Sequence, residues 1–406
     1  MSSRFPIGVE TIYKLLTNNF ILWKKKIFII LSYTLIFFNS NLLSNENNNV
    51  LKVGLLAPLS GEYKQIGESL LYSLQLALDE IDDKNVQIIP RDSGSDDKDK
   101  LMNAIKEIKS EGANVVIGPI DYNDFNEVKK FNDMVFISLS NISPEFQGNI
   151  ISIGISFESQ MASLIKFLKK QKKNKTVILL PKNQYTDLIE KKIKTLDIKD
   201  YKIFKYSADP KILTGEIEVL TNYTQRKKRL ENRKKLFQDK EDEQSKKALE
   251  RLEQRYTLGD VGFDSVIIID FGNNLKSVLT SLVFTDVNQE KVLFLTVNQW
   301  FDESIFYENT VKSLYYPSVN FKEFKKYKNI YQKTFNENPN EITILAYDAL
   351  GLIYYVWKKN KGIKSINDFS FKNKIKGKIG TFSFNNKKII QDLNIYKVED
   401  KKFKKF

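Results

Sequence analysis

From residue 51 onward the chain alternates between short apolar runs and amphipathic stretches. "LKVGLLA" (51–57) is a continuous apolar run, the signature of a strand buried on both faces. After it, Ile66, Leu70, Leu74 and Leu78 recur every four residues, widened by Leu71 and Ile81, and predict a helix with one buried stripe. "VQIIP" (86–90) predicts the next strand, and Asp96 to Ser110 a helix facing inward through Leu101, Ile105 and Ile108. "ANVVIG", a helix from Asn123 to Phe131, and "MVFISL" continue the series. "NIISIGISFESQ" (149–160) reads as a passage from one lobe to another. A second alternating set follows: "TVILLP", a helix from Gln184 to Leu196, "YKIFKYS", "FDSVIIID", a helix from Asn274 to Phe284, and "KVLFLTV". "SLYYPSV" (313–319) reads as a return crossing, followed by helices from Phe321 to Phe335 and from Ile342 to Trp357. "GKIGTFSFNNK…LNIYKVE" predicts a closing antiparallel hairpin. Strands alternating with helices imply doubly wound parallel sheet, so the fold class is α/β, with two lobes around a cleft.

One segment breaks the alternation. Residues 225–257, "QRKKRLENRKKLFQDKEDEQSKKALERLEQRYT", predict one long charged helix with a narrow apolar stripe at Leu249, Leu252 and Tyr256. Its first half is strongly basic, and Arg226, Lys227, Arg229, Arg233 and Lys234 are candidates for docking a protein partner or anionic headgroups. The plain alternative is a solvated helix lying over the second lobe.

The first fifty residues carry a different pattern. Lys24, Lys25 and Lys26 precede an apolar run from Ile27 to Phe38 and then a polar Asn/Ser-rich stretch. That order predicts an export signal over 24–44, either cleaved near Ser44 or kept as a signal-anchor, behind an N-terminal extension of residues 1–23. The Lys cluster then stays cytoplasmic and the remainder crosses the membrane.

Composition narrows the chemistry. The 406 residues contain no Cys and no His, which removes disulfides, Ser-His-Asp and Cys-His nucleophile systems, and thiolate or imidazole metal sites. Acid–base work falls to Asp, Glu, Lys and Tyr, and no paired carboxylates or metal cluster stand out. No cofactor is expected. The formal net charge is +14, from 64 Lys+Arg against 50 Asp+Glu. The basic residues are scattered instead of forming a stripe interleaved with aromatics, which argues against nucleic acid.

The turn "APLSGEYKQIGESL" lacks both G-x-x-x-x-G-K-[ST] and G-x-G-x-x-G, so it is not a phosphate loop. It lies at the carboxyl end of the first strand, where open α/β sheets place ligands. Ser60 and the turn backbone could cap the helix and offer N–H donors, with Tyr63 beside them. The other strand ends add Asp121, Tyr122, Ser138, Ser140 and Asn141 on the first lobe, and Tyr185, Asn273, Asn298 and Trp300 on the second. Together these hydroxyls, amides and aromatics suit a small polar ligand in a cleft. Singly, each is an ordinary turn or capping residue.

"LKVGLLAPLSGEYKQIGESLLYSLQLALDEI", "NVVIGPI" and "VFISLSNISPE" resemble the Leu/Ile/Val-binding, type 1 periplasmic binding proteins, from residue 51 to the C-terminus. Within that superfamily the chain most resembles the penicillin-binding protein activators of alphaproteobacteria, through "LERLEQRYTLGDVGFDSVIIIDFGNNLKSV", "LTVNQWFDES", "NENPNEITILAYDAL" and "GKIGTFSFNNK". The resemblance implies two doubly wound lobes around a cleft with three interlobe crossings. The boundaries then fall at 51–153 plus 318–368 for the first lobe, and at 154–317 plus 369–406 for the second, with a charged helical insertion at 225–257. It implies no enzymatic activity. The partner expected is a peptidoglycan synthase or, for a transport member, an ABC permease. In the amino-acid binders, small residues after strands three and four and an acidic residue on the second lobe hold the ligand. The matching positions here fall near Asp121, Tyr122, Asn141, Ile142 and Asn298. A charge-assisted hydrogen bond contributes about 1.5–3 kcal/mol, so losing several weakens the hold on a zwitterion, while Ser138, Ser140 and Asp121 keep some capacity.

Overall fold

The structure, a computed structural model, describes residues 50–94, 97–142, 148–307, 312–371, 373–378, 380–385 and 388–406. The predicted extension and export signal lie outside the described residues.

Two sheets dominate. In the first, β1 (Leu51–Ala57), β2 (Val86–Asp92), β3 (Val115–Ile117), β4 (Val135–Ser138) and β5 (Ile150–Ser152) pair in the order β2-β1-β3-β4-β5, all parallel. The central strands are buried on both faces, as their unbroken apolar runs require. In α1 (Lys64–Ile81) the predicted stripe is buried at Leu70 and Leu74 and packed against the core at Ile66, Leu71, Leu78 and Ile81. Helix α2 (Lys98–Ser110) and the single turn α3 (Phe125–Val128) cover the other face through Leu101, Ile105, Ile108 and Phe125. The helix predicted from Asn123 to Phe131 is thus shorter, because the Asp121 carboxylate accepts from Asn123 N–H and starts a 3-10 turn over Tyr122–Asp124.

The second sheet runs β15-β14-β10-β9-β8-β6-β7. Its strands β6 (Thr176–Pro181), β7 (Tyr201–Tyr206), β8 (Ser265–Ile268), β9 (Leu293–Thr296) and β10 (Leu314–Ser318) are parallel. β14 (Asn394–Glu399) pairs antiparallel with β10, and β15 (Lys402–Lys405) with β14. The helices between are α4 (Phe157–Lys170), α5 (Thr186–Lys194), α6 (Pro210–Thr221), α7 (Tyr223–Gln238), α8 (Glu243–Glu253) and α9 (Gly272–Phe284). α4 and α6 were not anticipated, although each starts on a standard signal: Ser156 caps α4, and Asp209 followed by Pro210 starts α6.

The last helices, α10 (Phe321–Phe335) and α11 (Thr343–Asn360), return to the first sheet's side. They seat on α1: Tyr72 stacks on Phe335 at 4.5 Å, and the Ser73 hydroxyl donates to Thr343 O at 2.6 Å. The closing segment differs from the hairpin expected. β12 (Thr381–Asn385) pairs with β13 (Lys388–Asp392) and β11 (Ile375–Lys376) in a small sheet of its own, while β14 leaves to join β10. β13 lies in what reads as the connecting loop.

The charged segment is two helices, not one. Asp242 accepts from Ser245 N–H at 2.8 Å and starts α8 as a separate helix that folds back on α7. Burial there is sparse: Leu230 and Leu252 face inward, but Tyr256 is exposed.

Candidate functional site

The turn after β1 is held from two sides. Gly67 brings α1 so close that an added Cβ would lie 2.0 Å from Pro58 O, so only glycine fits. On the other side Asp92, at the end of β2, accepts from Leu59 N–H at 2.9 Å and Gly94 N–H at 3.0 Å. Lys100 bridges the cluster, 2.5 Å from the Asp92 carboxylate and donating to Ser60 Oγ at 2.8 Å. Burial pushes the Asp92 carboxyl up, but the bonds from Lys100, Ser60, Gly94 and Leu59 outweigh it and hold the group well below the usual carboxylate range. Ser60 therefore does not cap α1. The N-cap position is Tyr63, an exposed side chain that makes no capping bond. The turn's Leu59 N–H, a donor suited to an anion, is already satisfied by an internal carboxylate.

The next strand ends divide in the same way. Ser138 is fully buried, donating to Pro119 O at 2.7 Å and accepting from Ser140 N–H at 3.1 Å. Ser140, also buried, accepts from Ile142 N–H at 3.1 Å. Tyr122 is half-buried against the outer core of the first sheet. Asp121 and Asn141 remain exposed, Asp121 as the cap of its 3-10 turn. On the second lobe, Tyr185 and Asn273 are exposed at the starts of α5 and α9. Asn298 is buried: its N–H donates to Gln160 Oε1 at 2.8 Å, and its Oδ1 accepts from Trp300 N–H at 3.0 Å and Ser318 Oγ at 2.8 Å. Trp300, at a left-handed φ of 47°, packs on Phe324 at 6.2 Å between centroids.

Several residues of this region went unread in the sequence. Gln160 donates to Ile155 O at 2.9 Å, and Gln391 to Ile153 O at 2.6 Å, so two glutamines hold the segment that leaves β5 for the second sheet. The Gln391 Oε1 is buried without a hydrogen-bond partner. Asp270, past the end of β8, accepts from Tyr206 Oη at 2.5 Å and Phe271 N–H at 2.8 Å. Burial, then the Asp270 carboxylate, pushes the Tyr206 hydroxyl far up. A polar residue closing an apolar run, as in "IIQD" and "IIID", is the signal for Gln391 and Asp270, whereas Gln160 in the polar stretch "SFESQ" carries none.

A cavity of about 690 Å³ lies elsewhere, between α1, α11 and the small sheet, lined by residues such as Glu80, Tyr347, Gly351, Tyr355 and Lys378. None of the predicted ligand residues lines it. Among the described residues, no group of three or more His, Cys, Asp or Glu could hold a metal ion, and no helix is long and apolar enough to cross a membrane.

The docking candidates also separate. Arg226 is 4% exposed, donating to Gly259 O at 3.1 Å, Thr285 O at 3.0 Å, Thr257 Oγ1 at 2.7 Å and Asp286 O at 2.8 Å. It fastens α7 to the loops after α8 and α9 and is not a docking residue. Burial pushes its guanidinium below the ordinary value, against the pull of Asp286 and Asp260. Lys227, Arg229 and Arg233 are exposed and Lys234 is half-buried.

Comparison with known proteins places this geometry. Residues 50–195 match the family model described as periplasmic binding protein, a stretch spanning all of the first sheet and ending just past α5. The fold is that of the periplasmic binding proteins. The leucine binding protein LivK of Thermotoga maritima aligns with 88% of this chain and 98% of its own, at 12% identity and a TM-score of 0.54. A branched chain amino acid ABC transporter periplasmic ligand-binding protein of Burkholderia xenovorans covers 88% of this chain and 94% of its own, at 9% identity and 0.63. The C-domain of LpoA from Haemophilus influenzae, described as a regulator of PBP1A, covers 87% and 99%, at 12% identity and 0.56. No curated protein sequence matches the chain. These solved relatives are binding proteins and a regulator, and the likeness is one of fold.

Proposed function

We propose that this is an exported, non-enzymatic protein of the cell envelope, a penicillin-binding protein activator that regulates peptidoglycan synthesis through protein contact. It needs no cofactor and contacts no nucleic acid. In this reading the first lobe comprises 51–153 and 318–368, and the second 154–317 and 369–406. Residues 24–44 deliver the chain to the periplasm or tether it to the inner membrane. The observation that carries the reading is the fate of the strand-end polar groups. Ser138, Ser140 and Asn298 are buried in internal hydrogen bonds, and Asp92 satisfies the first turn. Such groups have little left to offer a zwitterion, whereas α7 presents exposed Lys227, Arg229 and Arg233 with Lys234 beside them. The test is capture of partners from membranes by the full chain. A peptidoglycan synthase is expected, and it should be lost when those four residues are changed to Glu. Recovery of an ABC permease alone would overturn the proposal.

A second reading, a periplasmic solute receptor for branched-chain or related amino acids feeding an ABC importer, draws on Tyr63, Asp121, Asn141, Tyr185 and Asn273, whose side chains stay exposed near strand ends. Calorimetry against a panel of amino acids decides it, and absence of heat with every one sinks it.

A further inference from the structure

We propose that the cavity between α1, α11 and the small sheet is a saccharide-binding site, distinct from the cleft. Its volume of about 690 Å³ falls in the range of small-molecule sites. Its floor is the middle of α11, where Tyr347, Gly351 and Tyr355 follow one another at four-residue spacing and so share a face. Gly351 is required by nothing else: its φ is ordinary, and an added Cβ would meet no atom within 4 Å. Glycine is the poorest helix former after proline, so the helix carries a weak residue with no packing reason for it. Any larger side chain would project into the cavity, between the two tyrosines.

The roof is fixed as firmly as the floor. Asp348 accepts from Lys378 N–H at 2.8 Å, and Gly377 lies so close that a Cβ would sit 2.5 Å from the Asp348 carboxylate. Gly377 and Lys378 are thereby pinned over α11. Lys378 also pairs with Glu80 at 2.8 Å, and the Tyr347 hydroxyl donates to the same carboxylate.

The lining chemistry selects the ligand class. Of the four carboxylates lining the cavity, Glu80 pairs with Lys378, Glu323 with Lys326 and Asp392 with Lys374, while Asp348 accepts from Lys378 N–H, and Lys376 and Lys405 add two further cations to the lining. Charges of both signs are thus interspersed around the lining, which leaves no single-sign field to hold an ion. It leaves acceptors and donors side by side, which hydroxyl groups satisfy because each both donates and accepts. The exposed Tyr355 ring adds apolar surface for the C–H face of a sugar ring, while the Lys378 ammonium lies over the Tyr347 ring at 5.9 Å. Asn394 belongs to the second sheet, so an occupant would touch elements of both lobes.

The experiment titrates the full chain with cellobiose, N,N′-diacetylchitobiose and lactose, with leucine and inorganic phosphate as the zwitterion and ion probes. Binding is read by saturation-transfer NMR and an equilibrium titration. Saturable binding of at least one disaccharide is expected, weakened roughly tenfold or more by Gly351→Leu and by Tyr355→Ala. Asn273→Ala, outside the cavity, should leave it unchanged. Gly351→Leu should not lower the unfolding temperature, which separates a filled cavity from a damaged fold. Absence of saturable binding by every disaccharide, binding indifferent to Gly351→Leu, or binding of leucine or phosphate in their place would each overturn the proposal. Partner capture from membranes is read independently of this titration.

Discussion

Replacing Arg226 distinguishes a structural cation from a docking one. The side chain is 4% exposed and donates four hydrogen bonds of 2.7–3.1 Å to Gly259, Thr285, Thr257 and Asp286. Three acceptors are main-chain carbonyls, and Thr285 is fully buried, so water cannot simply take the place of the lost guanidinium. Each charge-assisted bond is worth about 1.5–3 kcal/mol when its partner is deleted, but the four are not additive. Removing the guanidinium leaves several buried acceptors unpaired at about 1–3 kcal/mol each, so a loss of about 3–5 kcal/mol is expected for Arg226→Ala. Arg226→Lys keeps the charge but cannot serve a forked set of acceptors, so it should recover only part of it. Arg229→Ala, three residues along and exposed, should shift stability by no more than about 0.5 kcal/mol. Urea unfolding of the full chain, followed by tryptophan fluorescence, measures all three. Equal, small effects of Arg226→Ala and Arg229→Ala would refute the assignment of Arg226 to the frame.

Further outcomes follow from other contacts. The Asp92 carboxyl is held below its unfolded value, so its stabilisation is complete above the unfolded pKa of about 4 and is lost as pH falls from there through the folded value. Asp92→Asn should therefore be clearly less stable than the parent at pH ~7, with the gap narrowing toward pH ~3, and a gap independent of pH would contradict the assignment. Gly154→Ala forces a Cβ to within 2.0 Å of Ser140 O, where backbone must move, and should cost about 1–3 kcal/mol by thermal unfolding. Gly351→Ala meets open space within a helix and should instead stabilise by about 0.5–1 kcal/mol, which the same thermal assay reads.

Elements whose burial pattern lies within a few consecutive residues were legible. "TVILLP" is a strand over its whole length, and α10 spans Phe321–Phe335 as read. What escaped depended on partners distant in sequence. Whether Ser138 is a ligand hydroxyl or a structural one turns on Pro119, nineteen residues away, whose carbonyl it meets. Asn298 looked available because Gln160 and Ser318 come to it only through the fold. The break at Asp242 was hidden by charge that runs through both helices, although an Asp followed three residues later by Ser245 carried the cap. The cavity was invisible for a related reason: Gly351 looks like any glycine until α1 and the small sheet are set around it.

The internal bonds also bear on how the two lobes can move. A binding protein that closes on a ligand must change backbone angles where strands cross between lobes. Here the first crossing is held by Gln160 on Ile155, by Gln391 on Ile153, and by the close seating of Gly154 on Ser140. The second is tied where Ser318 meets Asn298, itself bonded to Gln160. A buried hydrogen bond that is broken and not replaced costs about 1–3 kcal/mol, so a hinge motion that parted these groups would work against several such costs together. That cost suits a protein used through a fixed outer surface, because a preformed surface loses little conformational freedom when a partner docks. A solute receptor gains from the opposite arrangement, in which ligand contacts offset the cost of closing. The Asn298 bonds to Gln160 and Ser318 act in both respects, since they occupy the Asn298 side chain and main chain and also tie the crossings, whereas the Ser138 bond to Pro119 is a separate, local one.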